Sequence, residues 1–278
     1  MLDQQIIDKI EKFVYNKPRS VFEIAQFLGK NWRTADRYIN EIEKEFGTIS
    51  TRVFRQGTRG ALKIVFWSSM EKASSSTFQQ QLEKEIIRAK RKEDFSAFDI
   101  YQYIQEKSKN VKVKLSSNEE KIAVENLAEP YLSAKKQLFI FSGNLSFINF
   151  SDGKIDMFSI LDDLVKKGVS IKILCRVDIA GKKNIEKMLS LNFKHGKESV
   201  EIRHKEHPLR ATVFDNSFFH IKEIKEPTGK IHELDKKIFI FYTIKDKEWT
   251  EWMSRIFWKL FSSSIDANKR IKELNNLA

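Results

Sequence analysis

The segment "RHKEHPLRATVFDNSFFHIKE", residues 203–223, holds three histidines, two arginines, two lysines and an aspartate. The spacing His-x-Lys-x4-Asp serves phosphodiester hydrolysis. One His attacks phosphorus, a second protonates the leaving group, and Lys side chains neutralise the phosphate oxygens. Here Arg210 stands five residues before Asp215, in the lysine's place. The nucleophile's place, two residues before Arg210, is taken by Pro208, and His207 lies one position early. Adjacent strand residues face opposite sides, so only a bulge would bring His207 into register. Arg for Lys also changes how a phosphate is gripped. The expectation is a degenerate centre with no catalytic residue. His207, Arg210 and Asp215, with Ser142 and Asn144 of the strand-end turn "FSGNLSF", then remain as an effector-site candidate. Asp215, beside Asn216, fits a turn role better than a pair with Arg210.

Other chemistries leave little trace. His204 and His207 are three apart in a strand-like run, and His220 and His232 are isolated, so no metal-ligand spacing arises. There is no phosphate-binding Gly-x4-Gly-Lys-Ser/Thr loop, and no cofactor is expected. The single cysteine, Cys175, lies in the apolar run "VSIKILCRV" and reads as a buried structural thiol. No secretory leader and no run long enough to cross a bilayer is seen, so a cytoplasmic location with no membrane partner is expected.

The elements that must position these residues fall into two patterns. Residues 2–15 carry Leu2, Ile6, Ile10, Phe13 and Val14 at helical spacing. Ser20 and Glu23 make a capping box for a second helix that stops at Gly29. A third helix runs from near Asn31 to Gly47 with Ala35, Tyr38, Ile39, Ile42 and Phe46 as its apolar stripe. Two strand-like runs follow, joined by "GTRG". Three helices and a hairpin form a winged helix-turn-helix, whose third helix reads the major groove from its N-terminal end. The residues expected to contact DNA there are Asn31, Trp32, Arg33, Thr34, Arg37 and Tyr38. The wing, 48–67, adds Arg52, Arg55, Arg59 and Lys63 with no acidic residue.

Residues 68–77 read as a linker and the following stretch as a connecting helix, with Phe78, Leu82, Ile86 and Ala89 as a seam able to pair with a second subunit. From 117 onward helices alternate with apolar strands. This predicts a sheet that is partly parallel at first and antiparallel later. A closing helix presents Trp249, Trp252, Met253, Ile256, Phe257, Leu260 and Phe261 on one face. The fold class is therefore α+β and α/β.

The order helix, "QLFIFSG", helix, "VSIKIL", then "HKEHPLRATVFDNSFFHIKE" resembles one repeat of the phospholipase D-like fold. With the winged helix before it, the chain resembles the archaeal TrmB-type transcription regulators. The resemblance implies a winged helix-turn-helix at 1–67, a helical and possibly dimerising linker at 68–116, and an effector or dimerisation domain at 117–278. It implies a sequence-specific regulator of double-stranded DNA, homodimeric, with a small molecule or a protein as effector. The net charge of +12 agrees with a polyanionic partner. Two alternatives remain at this stage: a phosphodiesterase or nuclease carried to DNA by its winged helix, and a winged-helix adaptor that binds protein.

Overall fold

The computed structural model describes residues 2–15, 17–55, 61–67, 75–115, 119–227 and 237–276. The N-terminal module comprises α1 (Gln4–Tyr15), β1 (Arg19–Ser20), α2 (Val21–Leu28), α3 (Trp32–Glu45), β2 (Ile49–Arg55) and β3 (Ala61–Trp67). Local signals set its boundaries. The Ser20 hydroxyl accepts the Glu23 amide, and the Ser20 amide donates to the Glu23 carboxylate at 2.7 Å. Gly29 ends α2 at φ 62°, a left-handed backbone that glycine adopts without a Cβ penalty. Asn31 caps α3 by accepting the Thr34 amide at 2.9 Å. Ile7, Ile10, Ile24, Ile39, Ile42 and Val65 close a small core beneath the sheet β1-β3-β2.

The rest of the chain adds α4 (Ser75–Arg88), α5 (Phe98–Tyr101), β4 (Lys109–Leu115), α6 (Glu119–Leu132), β5 (Gln137–Phe141), α7 (Met157–Lys166) and β6 (Ser170–Cys175). It continues with α8 (Lys182–His195), β7 (Val200–His204), β8 (Ala211–Phe214), β9 (Phe218–Lys225), β10 (Ile238–Ile244), α9 (Lys247–Ser262), β11 (Ile265–Asp266) and α10 (Ala267–Asn276). One eight-stranded mixed sheet runs β11-β7-β6-β5-β8-β9-β10-β4. The pairs β5–β6 and β6–β7 are parallel, and β8–β9 and β9–β10 are antiparallel. This is the mixed order that the alternating pattern predicts. Strand alternation sends Ile171, Ile173 and Ile202 into the layer of α6, α7, α8 and α10, and Phe139, Phe141 and Leu174 into the layer of α9, α4 and α5. All seven apolar residues expected on α9 are buried there.

The region between the modules departs from the sequence reading. The long connecting helix is interrupted: α4 ends at Arg88, and residues 89–97 cross irregularly to the one-turn α5. Leu82 and Ile86 are buried among Phe257, Leu260 and other residues of the same chain, so the seam expected to meet a second subunit is already covered. Within the stretch assigned to the linker, residues 109–115 form β4, which pairs with β10 and belongs to the large sheet. Their Lys-Asn-Val-Lys-Val-Lys alternation is a strand period, period 2, hidden by a composition that also suits a helix.

Candidate functional site

The first candidate is α3. Helical spacing puts Arg33, Arg37, Asn40 and Lys44 on one exposed stripe, opposite Ala35, Ile39 and Ile42. The Arg37 guanidinium lies 5.2 Å from the Tyr38 ring centre. Asn31 spends its side-chain oxygen on the helix cap. Trp32 and Tyr38 are half buried and pack against the module's core, and Thr34 is half buried beside them. Asn40 and Lys44 were not among the expected contacts. Continuing the helical period from Arg33 through i+4, i+7 and i+11 finds them.

The wing differs from the expectation. In β2 and β3 one face turns to the module's own core and the other to the large sheet. On the first face, Lys63 donates to Asp36 at 2.8 Å and to Asn40. On the second, Arg52 sits 3.4 Å from Glu106 and 5.1 Å from the centre of the Tyr101 ring. Both cations are committed within the chain, which takes them out of the set offered to phosphates. Phe54 and Ile64 are buried with them, and Phe54 meets Phe98 edge-on at 5.9 Å. The Arg55 side chain and all of Arg59 lie outside the described residues, as does His232.

The second candidate lies where β5 and β6 end and residues 205–210 cross toward β8. His207 is 2% exposed. Its Nε2 lies 3.1 Å from the Leu174 carbonyl, and its Nδ1 lies 3.4 Å from Lys92 Nζ. The network therefore assigns the proton to Nε2, which donates, and leaves Nδ1 facing an ammonium. Burial, then the Lys92 charge, holds this imidazole well below the usual histidine range. Lys92 comes from the irregular 89–97 segment, which the sequence reads as part of the connecting helix. It donates to the carbonyls of His207 at 2.9 Å, Leu209 at 2.6 Å and Ser142 at 3.4 Å. Burial, then the Arg210 guanidinium, lowers its ammonium to about 7. Its three carbonyl acceptors tie Lys92 to the strand ends.

Arg210 and Asp215 are not brought together. They flank β8, a four-residue strand, at opposite ends. Asp215, at φ 52°, accepts the amides of Lys135, Lys136 and Gln137, each at 2.8 Å, and so caps the start of β5. The Ser142 hydroxyl accepts the Leu145 amide, and the Asn144 side chain accepts the Ser146 amide, shaping the loop after β5. Cys175 is buried, and burial pushes its thiol up to about 12. Among the described residues no three His, Cys, Asp or Glu side chains gather as a metal site.

A cavity of about 1120 Å³ runs from this cluster to the N-terminal module. Lys92, Arg176, Arg210, Ser142 and Asn144 line one end. Lys17, Glu23 and Ile64 of the N-terminal module line the other, together with Phe98 and Glu223.

No family model and no curated protein sequence matches the chain. Among solved structures, Nuc from Salmonella typhimurium, a phospholipase D family member, is similar at 14% identity and a TM-score of 0.39, over 57% of this chain and 97% of that one. NucT from Helicobacter pylori is similar at 11% identity and a TM-score of 0.39, over 57% and 99%. TrmBL2, an archaeal chromatin protein, is similar at 15% identity and a TM-score of 0.38, over 95% and 93%. Likeness of this size assigns no family, activity or ligand.

Proposed function

We propose that this protein is a double-stranded-DNA-binding transcription regulator whose large-sheet domain is not catalytic. The observation that carries the DNA reading is the solvent-facing stripe of Arg33, Arg37, Asn40 and Lys44 on the third helix of a winged helix-turn-helix. Two guanidiniums one turn apart suit phosphates and guanine edges, while the Asn40 amide is engaged by Lys63 and Asp36. Regulation would come from the large-sheet domain, which grips the wing and so fixes how α3 is presented.

The non-catalytic reading rests on His207. Nucleophilic attack needs a ring nitrogen with a free lone pair facing a phosphorus atom. Here Nε2 is occupied by a carbonyl and Nδ1 faces an ammonium, in a side chain removed from solvent. Pro208 supplies no substitute.

A fluorescence anisotropy titration with mixed-sequence duplexes tests the first claim. Arg33→Ala with Arg37→Ala should weaken binding at least 100-fold while circular dichroism stays unchanged. Equal affinity in the double variant overturns the assignment. Incubation with labelled single- and double-stranded DNA in EDTA tests the second, and cleavage that disappears in His207→Ala would restore the hydrolase.

A further inference from the structure

Two carboxyl side chains are buried among the described residues, Glu223 on β9 and Asp99 on α5, and they are served differently. Glu223 accepts from the Ser96 hydroxyl at 2.8 Å, from the Tyr242 hydroxyl at 3.3 Å and from the Lys225 ammonium at 2.7 Å. Neither oxygen of Asp99 accepts a hydrogen bond. Yet Asp99 sits in the turn of helix on which the wing rests. Phe98 beside it meets Phe54 at 5.9 Å and Phe66 at 5.5 Å, and Tyr101 takes the Arg52 guanidinium at 5.1 Å. Lys17, from the connection between α1 and β1, is the charge that the N-terminal module brings toward Asp99. It stops at 3.9 Å, beyond hydrogen-bonding distance. On the other side Asp99 faces Glu85 of α4 and Glu223, two like charges. Lys225, Tyr103 and Tyr242 complete its surroundings. Burial, partly opposed by Lys17, raises this carboxyl to about 7. Each ionisation thus leaves a charge without hydrogen bonds at the contact between the modules.

We propose that docking of the N-terminal module on the large domain is coupled to protonation of Asp99, the wing being held while the carboxyl is neutral and released as it ionises. Undocking admits water to the carboxylate and returns it to the ordinary range near about 4. The docked state therefore binds the proton more tightly than the open one. Docking weakens as pH rises from about 4 to about 7 and stays level above. Lys92 also titrates near 7, but its contacts with Ser142, His207 and Leu209 lie inside the large domain. The coupling itself does not depend on the DNA reading. Its consequence, a change in how α3 is presented, does.

Fluorescence resonance energy transfer on the full chain reads docking directly. Dyes go on Lys9→Cys in α1 and Lys183→Cys in α8, both exposed positions, while the native Cys175 is buried and stays unlabelled. Urea titrations from pH 5 to pH 8.5, with circular dichroism in parallel, separate loss of transfer from loss of secondary structure. Transfer should be lost first, and the docking constant should fall at least tenfold between pH 5 and pH 7.5 before levelling. Asp99→Asn should remove that fall. Lys17→Met should carry it above pH 7, because the carboxyl then loses the charge that opposes the effect of burial. A docking constant independent of pH in the wild type overturns the proposal, and so does a fall that persists in Asp99→Asn. Transfer and secondary structure lost together at every pH would mean no separate docking step, and that overturns it too. Duplex binding is read by anisotropy at pH 5.5 and pH 8. If docking follows pH as expected and no duplex binds at either value, the DNA reading fails and the coupling stands.

Discussion

Asp99 is buried and Asp215 is partly exposed in a turn, and their neighbours give them different tasks. Asp215 accepts three backbone amides and closes the start of β5. Asp215→Ala leaves those donors unmet and puts a residue with a Cβ but no capping oxygen at positive φ. It should cost about 2 kcal/mol in urea unfolding, and Asp215→Asn, which keeps one acceptor, should cost less. Asp99 is 2% exposed, with Lys17 at 3.9 Å and neither carboxylate oxygen hydrogen-bonded. Burial raises it to about 7, partly opposed by Lys17. A carboxyl raised in the folded state binds its proton more tightly than in the unfolded chain, so its contribution to stability falls as pH rises from about 4 to about 7. Asp99→Asn should therefore stabilise the protein at pH 8, by about 1–3 kcal/mol, and have almost no effect at pH 4. An equal effect at both pH values would show that the carboxyl ionises as freely as in the unfolded chain.

At the scale of elements, the wing decides how the molecule is held together. Its two faces do different work: Val65 and Lys63 belong to the N-terminal module, while Phe54 and Ile64 belong to the core of the large domain. Phe54→Ala opens a cavity between the modules and should lower the unfolding free energy by about 3–5 kcal/mol. Hydrogen exchange should accelerate in β2 and β3 before it does in β5 and β6. The sequence shows the hairpin clearly, since "ISTRVFRQ" and "ALKIVFW" alternate on both sides of a glycine turn. In β2, Phe54 shares its face with Ser50 and Arg52 as on an exposed strand, whereas the unbroken apolar run 64–67 of β3 is the sequence's one sign that both faces are covered. The α4 seam is a similar case. Leu82 and Ile86 are visible as an apolar stripe, and only the packing of α9 shows what covers them.

For the whole molecule, a net charge of +12 guarantees some attraction to any polyanion. The proposed reader makes a sharper claim. With three or four cations of the α3 stripe and its flanks on phosphates, the slope of log affinity against log salt should be about −3 to −4. Removing Arg33 and Arg37 should flatten it by about 2. A slope that does not change in the double variant would mean that charge elsewhere carries the binding. Among the described residues no helix is long and apolar enough to cross a membrane.

The sequence by itself determined the capping box at Ser20 and Glu23, the stop at Gly29, the parallel-then-antiparallel order of strands and the buried face of α9. The caps, the stop and the α9 face depend on spacing within one segment, where local sterics and periodicity act, and the strand order follows from whether a helix or a short turn joins successive strands. The sequence also places Pro208 two residues before Arg210, where the His-x-Lys-x4-Asp spacing has its His. Tertiary structure alone decided that Lys92 stands against His207 from 115 residues away, that Asp215 reaches back to β5 and that Arg52 is turned to Glu106. These are pairings between distant segments, chosen by which burial leaves the fewest polar groups unmet, and no local pattern encodes them.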